Sequence, residues 1–314
     1  MVWIALLALA GALHGLESPA AGRVIGFGAG QPGTQNYETN RALAALLKRG
    51  SVHLRLESYG GPSTALALLD QGELDFTAVV SSDLHDAVAG RGTFSGSELS
   101  NLRIVTTLVT SRIGLFVSGR SSIQTVADLS GRTLAYGFSS QPSLTTMVDG
   151  VLASAGLGIS DVQTELVASV LDGADRLAAG RVDAALLAIG AGKLIEIDSL
   201  LGGVRLLPIG QDAASLAALQ RVSPTATVET LLPGPATIGI SEPTPLLAYH
   251  YVLVTHSQAD ENMVTGTLEM IWTNVEALRS DSYVLSGLTR AHMGTEHTWE
   301  IPTHPAALAF FGER

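Results

Sequence analysis

The sequence predicts an α/β protein made of two similar lobes joined by crossing strands, with a ligand cleft between them. Three observations carry this. A strand, a polar loop and a helix occur in order at 24–47 and again at 133–155. Two segments echo each other: Leu69-Asp-Gln-Gly72-Glu-Leu-Asp75-Phe and Leu177-Ala-Ala-Gly180-Arg-Val-Asp183-Ala. Each is a helix end, a glycine stop, an aspartate and a buried strand. Two long β-rich runs, Leu102–Ser118 and Ala248–Thr255, then serve as the outgoing and return crossings.

Val24–Gly28 is a short apolar strand that Gly30, Pro32 and Gly33 interrupt, and Asn40–Lys48 carries apolar residues at helical spacing. Val52–Leu56 alternates as a strand does. Ser63–Leu69 reads as a helix with Gly72 at the position of a C-terminal stop, and Leu74–Val80 as a buried strand. Strand alternating with helix argues for a parallel sheet covered on both faces. Leu102–Ser118 is long for one strand and reads as two joined strands. In the second lobe Thr133–Gly137 is a strand, Phe138–Pro142 a loop and Leu144–Ala155 a helix. A helix containing Asp175–Ala179 is stopped by Gly180, and Val182–Ile189 is a buried strand. Leu200–Pro245 is rich in Pro, Gly and Thr and reads as a surface crossing, and Met263–Leu278 as one amphipathic helix.

Composition narrows the function. Of 314 residues 46% are hydrophobic and 15% charged, which excludes general disorder. The net charge of −11 argues against a nucleic-acid or anionic-membrane surface. The absence of cysteine removes disulfides, thiol nucleophiles and cysteine metal sites, and fits an exported protein. Residues 1–21 read as a signal peptide. Val2–Leu16 is an apolar run too short to span a bilayer, and the small residues Ser18 to Ala21 follow, although no basic residue precedes the run.

Motifs for common chemistry do not form. Gly26-Phe-Gly28-Ala-Gly30 lacks the third glycine of a dinucleotide fingerprint, and Gly192-Lys193 is followed by Leu194, not Ser or Thr. His292, His297 and His304 near Glu296 and Glu300 read as solvated loop residues, since Pro302 and Pro305 break any single helix. His85, Asp83 and Ser82 are neighbours in sequence, whereas catalytic triads are assembled in space. The chain therefore reads as non-catalytic, with no cofactor and no metal site.

In open α/β sheets ligands bind beyond the carboxyl ends of the strands. Those ends supply Thr34, Asn36, Tyr37, Ser63, Thr64, Ser81 and Ser82 from the first lobe and Ser140, Gln141 and Ser143 from the second. The loops Gly30–Tyr37 and Phe138–Ser143 precede helices, whose N-termini favour an acceptor or anion. Arg112, in the first crossing run, is the candidate cation for a ligand carboxylate.

The order of several motifs resembles the TAXI family of TRAP-transporter solute receptors. The carrying residues are Pro32-Gly33-Thr34-Gln35-Asn36-Tyr37, Arg41-Ala42-Leu43-Ala44, Gly60-Gly61-Pro62, Gly72-Glu73-Leu74-Asp75, Ser81-Ser82-Asp83, Val126 to Arg132 and His304-Pro305-Ala306-Ala307. Asn36 stands where the family has its first Tyr, Pro62 where it has Ser, Ala65 where it has Asn, and Ser81 where it has Gln. The loop Ser140-Gln141-Pro142-Ser143 and Leu144 also depart from it. The resemblance implies a periplasmic-binding-protein type II fold: lobe 1 from 22–117 and 246–314, and lobe 2 from 118–245. It implies a periplasmic monomer that captures a small solute, an organic acid or amino acid, and delivers it to a TRAP-type permease membrane subunit. A stand-alone sensor or binding module of the same fold is the alternative, and an enzyme on this fold a more remote one.

Overall fold

The structure, a computed structural model, describes residues 24–50, 53–141, 143–235, 237–295 and 299–314. The segment read as a signal peptide lies outside the described residues, as do Glu296 and His297. The first lobe opens with β1 (Ile25–Ala29), α1 (Gln35–Arg49), β2 (Leu54–Ser58), α2 (Pro62–Asp70), β3 (Phe76–Val80) and α3 (Ser81–Val88). The long strand β4 (Leu102–Ser118) leads to β5 (Thr133–Tyr136), α4 (Ser143–Ser154), β6 (Gln163–Leu166) and α5 (Val170–Ala178). Next come β7 (Ala185–Ala188), α6 (Gly192–Leu201), β8 (Val204–Leu206), α7 (Ala213–Val222) and β9 (Thr227–Leu231). The chain returns through β10 (Thr244–His256) to α8 (Glu261–Thr273), α9 (Val275–Asp281), α10 (Arg290–Met293) and α11 (Pro305–Gly312).

This is the two-lobe α/β fold of type II periplasmic binding proteins, with a mixed sheet running through both lobes. The main sheet has the order β2-β1-β3-β10-β4-β7, with β8 also on β4 and β9 also on β10. β1, β2 and β3 are parallel, and β1 and β3 are buried along their whole length. Such runs need helices on both faces. β5 and β6 pair in a second, parallel sheet.

The echoed segments have matching geometry. Gly72 (φ 75°) and Gly180 (φ 68°) both sit in the left-handed region where only glycine is at ease. The Asp75 carboxylate then accepts from Gly26 N–H at 2.8 Å, and Asp183 accepts from Thr133 N–H at 2.9 Å. The partner residues reciprocate through the backbone, Asp75 N–H to Gly26 and Asp183 N–H to Thr133. Each aspartate thus clips one strand start to another by the same two bonds.

β4 and β10 cross between lobes. The end of β10 pairs with β3 through Tyr251–Val254, and its start pairs with β9 through Thr244–Ala248. The far end of β4 pairs with β7 and β8. β4 is one continuous strand of 17 residues rather than two joined strands. Its length is accommodated by two register shifts against β10, each leaving an extra residue on β4, which bend a strand without ending it.

Three other readings change. His304, read as a solvated loop residue, is 2% exposed and caps α11, its ring nitrogen accepting from Ala306 N–H at 3.2 Å. Asn274 divides the span read as one helix into α8 and α9, its side chain donating to Met270 O at 2.8 Å. The span read as a surface crossing contains β8, α7 and β9, because β8 has only three residues and β9 (Thr-Val-Glu-Thr-Leu) buries none of its own, so neither presents an apolar run.

Candidate functional site

A cavity of about 80 Å³ lies between the lobes. Helix starts surround it: Thr34–Asn36 of α1, Pro62 of α2, Asp83 of α3, Ser143, Leu144 and Met147 of α4, and Val170 and Leu171 of α5. Ser111, Ile113 and Tyr251 enter from the crossing strands, and Leu187, Ala188 and Ala191 from lobe 2. The strand–loop–helix pattern dictates this convergence, since in a parallel sheet every such loop opens on the same edge.

The lobes touch at the rim. A Cβ placed on Gly61 would stand 2.1 Å from the Ser140 carbonyl oxygen and 3.1 Å from Gln141 Cγ. Gly61 is extended (φ −167°), so its backbone tolerates any residue and the restriction comes from the facing lobe alone.

Much of the polar lining is committed. Thr34 caps α1: its hydroxyl donates to Gln31 O at 2.7 Å and accepts from Tyr37 N–H at 3.2 Å. Asn36 accepts from Gly30 N–H, donates to Ala78 O at 3.0 Å and bonds the Tyr251 phenol. Gln35 accepts from the Ser111 hydroxyl at 2.7 Å. Gln141 accepts from Val170 N–H at 3.0 Å and so caps α5 from outside the helix.

Asp83 differs. It is 6% exposed, and among the described lining residues it is the single carboxylate, with no lysine, arginine or histidine beside it. Burial pushes its carboxyl up to about 7, the nearby Asp86 charge adds to this, and a hydrogen bond from the Ser143 side chain opposes it. That bond spans the cleft from α4 to α3. Tyr251 is also buried, and burial with the nearby Asp83 holds its phenol well above its ordinary range.

Of the residues singled out by sequence, Thr34, Asn36, Gln141 and Ser143 line the cavity. Tyr37, Ser63 and Ser140 stand outside the lining, Thr64 is exposed to solvent, and Ser140 donates to Ala168 O at 2.6 Å. Ser81 and Ser82 are buried, and neither hydroxyl has a hydrogen-bond partner. Ser82 borders a separate cavity with His85, Asp86 and Arg91. Arg112 faces away from the cleft. It donates to Glu229 at 2.7 and 3.0 Å and to Thr110 O at 2.8 Å. Strand alternation is the reason: Ser111 and Ile113 face the cavity, so Arg112 between them points to the opposite side. Asp83, Tyr251 and Ser111 are not among the site residues that the sequence singles out. For Asp83 the signal was present in Ser81-Ser82-Asp83, while Tyr251 sat inside an unbroken β run.

Among the described residues no group of three or more His, Asp or Glu side chains is placed to hold a metal ion, and no helix is long and apolar enough to cross a membrane.

The chain belongs to the NMT1-like family, whose model matches residues 27–314. Several solved structures share the fold. The periplasmic aliphatic sulphonate binding protein SsuA from Escherichia coli is 18% identical over 93% of this chain and 79% of that one, with a TM-score of 0.51. A periplasmic transporter is 12% identical over 94% and 93%, with a TM-score of 0.60. Tv2483 bound to L-arginine is 13% identical over 84% and 91%, with a TM-score of 0.52.

Proposed function

We propose that this protein is a non-catalytic periplasmic receptor that traps a small solute between its lobes and hands it to a membrane transporter. The observation that carries this is the inter-lobe cavity, lined by helix starts of both lobes and closed at the rim by Gly61 against Ser140. A ligand touching both lobes selects the closed form, and the two long strands are the connection about which rotation occurs. We divide the chain into 22–117 with 246–314 against 118–245, a reading that the crossing of those strands supports. The periplasmic setting of the structural relatives and the apolar N-terminal run support export.

The TAXI-like motifs favour a TRAP-type permease as the partner and an organic acid or amino acid as the solute. The NMT1-like match favours a second reading, a binding module of the same fold serving another transport system or acting as a sensor. Small-angle scattering with and without solutes from a thermal-shift screen tests the trap. Compaction on binding is expected, and a stabilising solute that leaves the profile of an open free form unchanged overturns the reading. Intact-mass analysis of periplasmic material should find the chain beginning near Gly22 or Arg23. Uncleaved Met1 in the membrane fraction would overturn the export reading.

A further inference from the structure

Taking the trap reading as its basis, we infer that the solute carries a protonated amino group, which pairs with the Asp83 carboxylate while an apolar body packs against lobe 2. Asp83 is more than nine-tenths buried and is the single carboxylate among the described lining residues. The groups facing it are the Ser143 hydroxyl from α4, Asp86 on its own helix, and Tyr249 and Tyr251 from β10. None of these is a cation. A buried carboxylate is normally paired, and here the pairing position opens onto the cavity.

The helix starts present the opposite demand, but it is largely met from within the chain. Thr34 serves Tyr37 N–H, Gln141 serves Val170 N–H and Ser169 serves Asp172 N–H. The cationic candidate, Arg112, is occupied with Glu229. Where Asp83 is ionised, above about pH 7, a simple organic acid would bring a second negative charge beside it with no cation to offset it. An ammonium supplies the missing partner and reaches both lobes at once, because Ser143 holds the same carboxyl group across the cleft. Apart from Gln141, whose side-chain oxygen is taken by Val170 N–H, the rest of the wall in lobe 2 is apolar, including Leu144, Met147, Val170, Leu171 and Leu187.

Pairing also moves a proton. With its carboxyl pushed up to about 7, Asp83 is largely protonated at about pH 6, so forming the ion pair releases that proton to the buffer.

The test uses the full mature chain and a matched set of probes: n-butylamine, L-norvaline, n-butanol and n-butyrate. Thermal shift and titration calorimetry should show binding of the amine, of the amino acid, or of both. The two arms separate a bare ammonium from a zwitterion. Butanol and butyrate should bind far more weakly. Asp83→Asn should weaken the amino probes on the order of 30-fold or more, the scale for breaking a desolvated charge pair. Calorimetry at about pH 6 in two buffers of different ionisation enthalpy should detect proton release in the wild type and none in Asp83→Asn. Asp83→Asn should still unfold cooperatively in urea, which guards against a folding defect, and Arg112→Ala, a substitution away from the cavity lining, should bind the amines as the wild type does. Butyrate binding in preference to the amines overturns the inference and leaves the receptor reading standing, as does unchanged amine affinity in a folded Asp83→Asn protein. If neither these probes nor a broad solute library shifts the wild type, the receptor reading fails and the inference with it.

Discussion

Gly61→Ala is a steric probe of closure. The added Cβ would lie 2.1 Å from the Ser140 carbonyl oxygen, whereas real Cβ atoms essentially never come within 3.0 Å of a neighbour. The lobes must therefore separate at this point by about 0.9 Å before the substitution fits, the gap between those two distances. Neither lobe is strained internally, since Gly61 is extended and α2 keeps its helix-favouring proline at the first position. Overpacking of this kind costs about 1–3 kcal/mol, which here falls on the closed form alone. Apparent affinity is the intrinsic affinity scaled by the closed population, so the solute should bind about 5- to 150-fold more weakly. The assay pairs calorimetry on a solute found by thermal-shift screening with small-angle scattering at sub-saturating and saturating concentrations. The variant should remain extended at concentrations that compact the wild type, with the melting temperature of the ligand-free protein little changed. Wild-type affinity and full compaction in Gly61→Ala would refute closure at this rim.

Asp83 should make ligand-free stability fall as pH rises from about 4 to about 7. Its carboxyl holds a proton in the fold that it gives up at its ordinary value of 3.8 when unfolded, so the native state is favoured at the acid end and the contribution is lost as pH passes about 7. The full shift corresponds to at most about 4 kcal/mol. Asp83→Asn should flatten that slope in chemical denaturation, and a variant with the wild-type slope would count against it. Asn36→Ala strips a bridge between Gly30 N–H, Ala78 O and Tyr251, and should lower stability by about 1–3 kcal/mol in urea unfolding whether or not solute is present. Arg112→Ala removes a half-exposed pair with Glu229 and should cost about 0–1 kcal/mol while leaving solute affinity intact. Loss of binding in that variant would return Arg112 to the site.

Features set by local rules could be read from the sequence. Gly72 and Gly180, each before an aspartate and an apolar run, specify a left-handed stop and a strand-start clip, and both clips form. The long apolar runs had to be crossing strands, because nothing else in an α/β lobe needs that length. Which side chains enter the cleft was less legible. The choice of Arg112 over Ser111 depends on strand parity, and two register shifts on β4 make parity hard to count along that run. Thr34 and Asn36 were found because helix starts lie where strands end. Their hydroxyl and amide groups, however, serve the fold's own N–H groups, and only the assembled backbone shows that those groups are taken. Asp83 carried a motif but no visible partner. Its isolation arises from what the other lobe lacks, and lobe 2 is remote from it in sequence.

The same isolation bears on how a trap avoids shutting empty. Closure joins Ser143 to Asp83 and leaves that carboxyl buried with one hydroxyl and no cation. Without solute, an ionised Asp83 regains water when the lobes part, so charge favours the open form. A solute that neutralises the carboxylate removes this opposition and adds contacts to both lobes, and the balance moves to the closed form by its differential affinity for the two. A neutral residue at this position would let the lobes meet on apolar contacts alone, and a protein with the proposed receptor function would respond less to what it holds. On this argument, Asp83→Asn should give a ligand-free protein more compact at pH 8 than the wild type, together with weaker binding of amines. An isolated structural carboxylate predicts no such coupling, and a wild-type scattering profile in the variant would assign Asp83 to that role.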